Sequence, residues 1–251
     1  MTEGVSHPVA QLDRQETGRF ASDFAHKRPV VLRDAVAADH VNQWEPASLR
    51  TRAGSLPVTV NIRERHFDFE RWRVAHERDD VQAEEMMHLQ RMPLAQALGQ
   101  IFGSGNSVPK GDMAITCLDC DMLDDPENTL ETCPLAINFG CVRPTLWAAG
   151  PPRRHQAHFD PGDVFIVVMH GSKRLVLASP ESSEALYPYS GHLALSRIPD
   201  LLDVAIADWP LFGSVDLWTT ELRPRDVLYI PKGWWHQADY LAPSVSLSFW
   251  P

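Results

Sequence analysis

The chain has 251 residues, with 23 basic and 33 acidic side chains that give a formal net charge of −10. Its hydrophobic fraction of 44% and charged fraction of 22% are typical of a folded globular protein and exclude a disordered or collagen-like chain. The acidic balance disfavours extended nucleic-acid binding, which needs a basic surface.

The N-terminus and the cysteine content predict where the protein resides. The first residues lack a basic segment followed by an apolar one, so the sequence predicts no signal peptide. It also contains no run of roughly 18 or more apolar residues, which argues against a transmembrane helix. Four cysteines are few for a disulfide scaffold in a chain of this length. We therefore expect a cytoplasmic protein without membrane contacts.

The N-terminal part predicts mixed secondary structure. Leu12, Phe20 and Phe24 are spaced by multiples of four, which is typical of one face of a helix. Alternating apolar residues over 56–62 predict a half-buried strand. The charged stretch 63–91 predicts a solvated hairpin followed by a helix, with a substrate-facing lid as the alternative.

The middle of the chain offers a possible domain boundary. Residues 93–102 predict a short amphipathic helix that begins with proline, and 103–111 are rich in loop-forming residues. Neither side of this loop has an independent pattern. We therefore expect a single domain over 1–251, with a mixed α/β part at 1–111 and a β-rich core at 112–251.

The β-rich core has short strands separated by turn residues, a pattern typical of a sandwich, jelly roll or barrel. The segment His-Gly-Ser-Lys at 170–173 predicts a hairpin turn between two of them. The predicted strands are 113–118, 144–149, 164–169, 173–178, 217–222, 226–230 and 244–250.

The motif His158-Phe159-Asp160 is the most specific chemical signal in the sequence. In a strand, residues i and i+2 point to the same face, so the imidazole and the carboxylate would project together. A third ligand is offered by His236, which follows a buried apolar strand and the sequence Gly-Trp-Trp. Two histidines and one carboxylate form the facial triad that holds non-haem Fe(II) and leaves coordination positions open.

The segments 158–180 and 223–250 closely resemble the JmjC and cupin-like family of Fe(II)/2-oxoglutarate dioxygenases, especially its factor-inhibiting-HIF-like members. The first segment carries His-x-Asp, a Gly-Ser-Lys-Arg turn and an apolar strand that ends in Ser-Pro. The second carries Asp-Val-Leu-Tyr-Ile-Pro, Gly-Trp-Trp-His and a strand that ends in Phe-Trp. The resemblance implies a mainly β, double-stranded β-helix (jelly roll) with the N-terminal helices packed outside the barrel.

The resemblance also implies cofactors and their ligands. Fe(II) would bind His158, Asp160 and His236, and the co-substrates would be 2-oxoglutarate and O2. Lys173 stands at the family's position for the lysine that pairs with the distal carboxylate of 2-oxoglutarate. An unpaired charge inside the barrel would be costly, which is the physical reason for a lysine there.

Several positions depart from the family pattern around the co-substrate. Val164 replaces an asparagine of several relatives, and Ser248 stands where some have asparagine. The strand that supplies a tyrosine in some members has none here, so Thr116 is the nearest polar substitute. His155 replaces a serine or threonine, and it would either donate a hydrogen bond to 2-oxoglutarate or lie outside the site. Arg225 replaces the glycine of a turn, which suggests an altered turn.

The implied reaction is hydroxylation of a C–H bond in a protein or peptide side chain, with succinate and CO2 as co-products. The alternatives are a hydroxylase of a small molecule or nucleoside on the same fold, and a non-catalytic metal-binding cupin-like protein. We expect a monomer or a weak homodimer.

Two further clusters have open or weak interpretations. Arg153 and Arg154 would either meet an acidic group or lie in a solvated loop. The cysteine spacing does not match a zinc knuckle, so partly buried reduced thiols are expected at Cys117, Cys120, Cys133 and Cys141.

Overall fold

The computed structural model describes residues 4–64, 67–78, 80–103, 112–123, 133–140, 144–190 and 192–250. Its strands are β1 (Ser6–Pro8), β2 (Ala10–Leu12), β3 (Val30–Leu32), β4 (Pro57–Arg63), β5 (Met87–Pro93), β6 (Asp112–Asp119), β7 (Thr145–Ala149), β8 (Arg154–His158), β9 (Val164–His170), β10 (Lys173–Ala178), β11 (Pro188–Tyr189), β12 (His192–Ser196), β13 (Leu217–Leu222), β14 (Val227–Ile230), β15 (Trp235–Tyr240) and β16 (Ser244–Phe249).

Short helices accompany these strands. The α-helices are α1 (Phe20–Asp23), α2 (Ala38–Asn42), α3 (Pro46–Ala53), α4 (Phe69–Glu77), α5 (Gln82–Met86), α6 (Leu94–Phe102) and α7 (Pro134–Asn138). The 3-10 helices are Arg14–Arg19, Cys120–Leu123, Pro180–Leu186 and Pro210–Ser214. In the described part of the chain, every helix is too short or too polar to cross a membrane.

The strands form two mixed sheets. One has seven strands in the order β1-β13-β10-β15-β8-β12-β11, and the other has nine in the order β2-β3-β14-β9-β16-β7-β6-β4-β5. Strands that follow one another in sequence, such as β9 and β10, often lie in different sheets, as in a jelly roll. The predicted mainly β fold is therefore confirmed.

The interior between the sheets is apolar. Val164, Ile166 and Val168 of β9 belong to one buried cluster with Leu175 and Leu177 of β10. Each such side chain contributes roughly 1.5–3 kcal/mol when it leaves water. The intervening residues of β9 face the opposite side, so this strand is buried on both faces.

The N-terminal helices cover the outer face of the nine-stranded sheet, as the resemblance implied. Phe20, Trp44, Leu49 and Leu98 are buried there in one apolar cluster with that sheet. The predicted helix through Leu12 is wrong, because Leu12 lies in β2 and pairs with β3 in a parallel register. The α-helix begins only at Phe20.

The predicted hairpin between β9 and β10 is also wrong. β9 pairs with β14 and β16, whereas β10 pairs with β13 and β15, so the turn carries the chain from one sheet to the other. Gly171 lies in this turn with φ +74°, and a Cβ there would come within 2.1 Å of the carbonyl oxygen of Pro243. The close approach of the two loops requires glycine.

In the charged stretch 63–91, the order of strands and helices differs from the predicted hairpin followed by a helix. β4 and β5 do pair as antiparallel neighbours, but α4 and α5 lie between them in the chain. Predicted helix 93–102 is present as α6. Residues 104–111 of the predicted loop and Cys141 lie outside the described residues.

Arg225 lies in the turn between β13 and β14 and adopts a backbone conformation that is uncommon for a residue with a side chain. Its φ is +82°, in the left-handed region that glycine favours. The side chain is held by an ion pair with Asp34 at 3.1 Å and by a hydrogen bond to the carbonyl of Val36 at 2.9 Å. These contacts hold Arg225 in place, and the expectation of an altered turn stays a prediction.

Candidate metal centre

Two neighbouring antiparallel strands, β8 and β15, bring the histidines of the candidate metal site together. His158 is the last residue of β8, and His236 is the second residue of β15. The two residues are paired in the register, with their ring centroids 4.3 Å apart. A register shift in this pair of strands also brings His155 opposite Ala238.

Asp160 reaches the same place from a loop. β8 ends at His158, so the expectation that both residues of the motif lie in one strand is wrong. The backbone amide of Gly233 donates to the carbonyl of Asp160 at 3.1 Å, and the Trp250 indole donates to its carboxylate at 3.2 Å. The carboxylate then lies 3.7 Å from Nε2 of His236. Asp160 is therefore positioned by contacts with Gly233 and Trp250, and not by the alternation of side chains along a strand.

Backbone carbonyls orient both rings. Nδ1 of His158 lies 2.8 Å from the carbonyl of Gln156, and Nδ1 of His236 lies 3.1 Å from that of Trp234. A proton on each Nδ1 leaves each Nε2 as a free lone pair, which is the usual arrangement of a metal-ligating histidine. Burial and the neighbouring His158 lower the pKa of His236 to about 4, so this ring is neutral at pH 7.

The three side chains lie close enough together to bind one metal ion. One ligand atom from each of His158, Asp160 and His236 lies within 4.8 Å of the others, and the described residues contain no second group of this kind. Two imidazoles and one carboxylate suit non-haem Fe(II). Cys120 and Cys133 are buried and form no disulfide among the described residues, whereas Cys117 is exposed and not partly buried as predicted.

Asp163 joins the two loops that carry the ligands, and sequence reasoning missed it. Its carboxylate accepts hydrogen bonds from the backbone amide of Lys232 at 2.8 Å and from the hydroxyl of Tyr229 at 3.0 Å. His26 Nδ1 lies 2.7 Å from the same group. Asp163 therefore fixes the loop after Asp160 against the loop before His236.

Lys173 lies inside the barrel at the start of β10. It is 5% exposed, and its ammonium donates to the hydroxyl of Ser246 at 2.6 Å. The same nitrogen lies 4.3 Å from the centroid of the Tyr240 ring. Burial lowers the pKa of Lys173 to about 7, because no carboxylate among the described residues offsets the loss of water.

The other predicted co-substrate residues lie in different surroundings. His155 contacts the rings of Trp147 and Tyr240 at centroid distances of 5.1 and 5.7 Å. Burial, followed by the charges of Arg153 and Lys173, lowers its pKa well below the usual value. His155 is therefore neutral and close to Lys173.

Ser248 and Thr116 lie on the nine-stranded sheet. Ser248 is buried in β16, opposite Thr145 of β7. Thr116 is half-buried in β6, beside a register shift at which Cys117 adopts φ +53°. Their roles toward the co-substrate stay predictions.

Arg153 is buried, so the alternative of a solvated loop is wrong for this residue. It is 2% exposed and donates to Asp112 at 3.2 Å and to Asn61 at 2.9 Å. Arg154 does meet acidic groups, because it pairs with Asp200 and Asp239. Sequence reasoning had no means of separating the two arginines, because their partners lie on distant strands.

A cavity of about 650 Å³ opens beside β8, within the range of small-ligand pockets. Gln156 lines this cavity, and the carbonyl of the same residue holds His158. The wall combines aromatic rings with charges of both signs. Its members include Arg63, Phe67, Phe69, Asp112, Tyr189 and Trp209.

Comparison with known proteins gives partial matches to longer relatives. The chain is 27% identical over 277 residues to the zebrafish protein "Lysine-specific demethylase 8", covering 99% of this chain and 60% of that relative. It is 35% identical over 112 residues to the Drosophila melanogaster "Jumonji C domain-containing protein 5", covering 44% and 28% respectively. The Arabidopsis thaliana "Lysine-specific demethylase JMJ31" is 32% identical over 122 residues, covering 46% and 20%.

The chain thus spans less than two thirds of the length of each of these relatives. The family description "Cupin-like domain" matches residues 18–250, which include β3 to β16 and all three candidate ligands. The chain belongs to the cupin-like domain family.

Proposed function

We propose that this chain is an Fe(II)- and 2-oxoglutarate-dependent dioxygenase that hydroxylates a C–H bond of a protein or peptide side chain. The observation that carries the proposal is the convergence of His158, Asp160 and His236, with both imidazole Nε2 atoms free. When bound, iron with 2-oxoglutarate and O2 supplies the oxidising chemistry, with succinate and CO2 as co-products.

The protein's own residues orient and shield this chemistry. His158, Asp160 and His236 would hold the metal and would leave coordination positions available for the co-substrates. The Trp250 indole fixes one oxygen of the Asp160 carboxylate. The buried apolar side chains between the sheets exclude water from the interior, which strengthens the electrostatic contacts there.

Lys173 supplies the counter-charge for the distal carboxylate of 2-oxoglutarate. It is the buried cation on the strand next to β15, which carries His236. Its single hydrogen-bond partner among the described side chains is the neutral Ser246 hydroxyl. A dicarboxylate would therefore neutralise a charge that the fold leaves uncompensated.

The substrate class rests on the cavity beside Gln156. Its volume is large enough for a side chain with flanking peptide atoms, and its aromatic and charged wall suits an amphipathic ligand. Two relatives are named lysine-specific demethylases, which favours N-methyl oxidation as the second candidate. Both reactions begin with hydroxylation at carbon, so the same site would serve either.

The first test is spectroscopic and anaerobic. The protein with Fe(II) and 2-oxoglutarate is expected to develop a weak visible charge-transfer band, and admission of O2 should yield succinate. An Asp160→Ala variant treated in parallel should give neither signal. Absence of both signals from the natural protein would overturn the enzyme proposal and favour a non-catalytic metal-binding protein.

The second test identifies the reaction type. Lysate-derived peptides and metabolites are incubated with the active protein and examined by mass spectrometry. Gain of one oxygen atom on a peptide side chain supports hydroxylation, whereas loss of a methyl group from a peptide supports demethylation. Modification confined to metabolites would overturn the assignment to protein side chains.

A further inference from the structure

Strand β5 is a long sheet edge that the described part of the chain leaves open. It ends the nine-stranded sheet, and β4 is its single partner among the described strands. The other three sheet edges, β1, β2 and β11, have two or three residues each, whereas β5 has seven. Proteins usually protect such an edge with a bulge, lysines or a covering segment. The register of β5 against β4 runs without a bulge, and the strand contains no lysine.

The side chains in the middle of β5 face solvent. His88, Leu89, Gln90 and Arg91 are all exposed, and the exposed fraction of Leu89 is 67%. A segment of the chain that covered this edge would have lowered that fraction. Leu89 is therefore a large apolar side chain that association with another strand would remove from water.

Two hydrogen bonds show which residues of β5 point outward. The amide of Glu64 donates to the carbonyl of Met86 at one end of the β4–β5 ladder, and the amide of Leu94 donates to the carbonyl of Leu56 at the other. Hydrogen-bonded pairs alternate along an antiparallel ladder, so the even-numbered residues between Met86 and Leu94 bond to β4. The odd-numbered residues direct their amides and carbonyls away from β4.

These outward groups define what the edge can bind. Leu89 and Arg91 each offer an amide and a carbonyl that have no partner among the described residues. Met87 offers only its carbonyl, because its amide donates to the carbonyl of Ala83. Pro93 has no amide hydrogen to offer. The edge therefore presents donors and acceptors in the middle and an acceptor at one end.

A second copy of the same strand matches this arrangement. We propose that β5 pairs in antiparallel register with β5 of a second copy of this chain, about a two-fold axis at Leu89. Leu89 then exchanges two hydrogen bonds with its own copy, and the amide of Arg91 donates to the carbonyl of Met87 in the second copy. The two exposed leucines pack side by side. The result is an isologous dimer in which two nine-stranded sheets join edge to edge.

Charge favours a second copy over an unrelated strand. Two copies of a chain with a net charge of −10 repel each other over most of their surface, but β5 contains no acidic residue and carries Arg91. The exposed Glu84 and Glu85 of α5 come directly before β5. An axis at Leu89 places α5 of each copy beside the Arg91 end of the other. An axis at Gln90 would instead place the two arginines diagonally across on one face, where like charges repel.

The first test measures the oligomeric state of the whole chain. Sedimentation velocity over a rising concentration series should show a species of twice the mass of one chain. Leu89→Lys places like charges directly opposite each other and removes the leucine contact, so it should raise the Kd of the dimer at least about tenfold. Val81→Lys is the matched control, because Val81 is 78% exposed and lies outside β5.

Each outcome of this test is decisive. A dimer of the natural protein and of Val81→Lys, together with single chains of Leu89→Lys, supports the proposal. A natural protein that stays a single chain up to high micromolar concentration would overturn it. A Leu89→Lys dimer of unchanged affinity would also overturn it, because association would then use another surface or another partner strand.

The second test examines the register by disulfide trapping. Leu89→Cys and Gln90→Cys are oxidised with diamide beside the natural protein, whose own Cys117 is exposed. In the proposed register the two Cα atoms at position 89 lie about 5.5 Å apart, within reach of a disulfide, whereas those at position 90 are diagonal at roughly 7–8 Å. A covalent dimer from Leu89→Cys alone supports the proposal. Any other pattern would overturn it.

Thermal unfolding keeps the two tests valid. Because Leu89 is exposed, the Tm of Leu89→Lys should match that of Val81→Lys where both are single chains. If Leu89→Lys does not fold, the cysteine variants decide the outcome. His158 and His236 lie in the seven-stranded sheet, away from the sheet that ends with β5, so failure of this dimer leaves the proposed function standing.

Discussion

The metal end and the co-substrate end of the barrel differ in how their polar groups are satisfied. At the metal end, His158, Asp160 and His236 each contact a backbone or side-chain partner that fixes the ligand. At the other end, the Tyr240 hydroxyl has no hydrogen-bond partner in the described part of the chain, and the Lys173 ammonium donates there only to the neutral Ser246 hydroxyl. The fold has therefore completed the metal site in advance, while it leaves the second site short of one anion.

This difference predicts opposite effects of substitutions on the stability of the empty protein at the two ends. A site whose ligands are held by the protein loses binding when a ligand is removed, and the fold itself is little affected. A site with an uncompensated buried charge lowers stability until its ligand binds, so removal of the charge should stabilise the empty protein.

The largest effect is expected at the metal end. Asp160→Ala removes the carboxylate ligand, and we expect metal affinity to fall by more than about 100-fold, beyond the loss typical of outer-shell changes. The measurement is a calorimetric titration with Fe(II) under anaerobic conditions. Asp34→Ala is the matched control, because that carboxylate is largely exposed and pairs with Arg225. Retention of normal affinity by Asp160→Ala would contradict the triad.

Lys173→Met is expected to raise the stability of the empty protein, because it removes a buried charge. The pKa of Lys173 in the folded protein is about 7 against an ordinary value of 10.5, so the unfolded chain binds more protons between these values. The stability of the natural protein should therefore rise with pH across this window, and the penalty is greatest below pH 7. The variant lacks the penalty, so at pH 7 it should be more stable by about 2–4 kcal/mol.

Urea unfolding of the empty protein over this pH window checks the prediction. The stability gap between Lys173→Met and the natural protein should shrink as the pH rises, while the variant binds 2-oxoglutarate much more weakly. Lys232→Met is the control, because Lys232 is exposed. A gap that does not change with pH would show that Lys173 is not buried as a charge.

The sequence predicted the metal ligands well because each lies in a short motif beside an apolar strand. His158 and Asp160 are two residues apart, and His236 follows the strand that ends at Ile230. β15 was missed as a strand, and β8 was expected only through its last residue His158, because both strands carry histidine, glutamine and charged residues among few apolar ones. Alternation of hydrophobic residues does not mark a strand that lines a polar site.

The co-substrate end could not be derived in the same way. Tyr240 is 67 positions from Lys173 in the chain, and only the register of β15 against β10 places them opposite each other. Arg153 became buried because Asp112 and Asn61 on other strands meet it. These are consequences of strand order, which sequence spacing does not encode.

The smallest effect, a modest loss of Fe(II) affinity, is expected for Trp250→Phe at the metal end. Its indole N–H donates to the Asp160 carboxylate at 3.2 Å, and Trp250 is not one of the candidate ligands. Removal of an outer-shell donor typically costs at least about tenfold in metal affinity, and we expect a loss near that lower limit because the amide of Gly233 still holds the loop. The natural protein, Trp250→Phe and the control Trp44→Phe are compared by Fe(II) titration. Equal affinity in all three would mean that Asp160 is positioned by its backbone alone, and the metal end would then depend on fewer contacts than its geometry suggests.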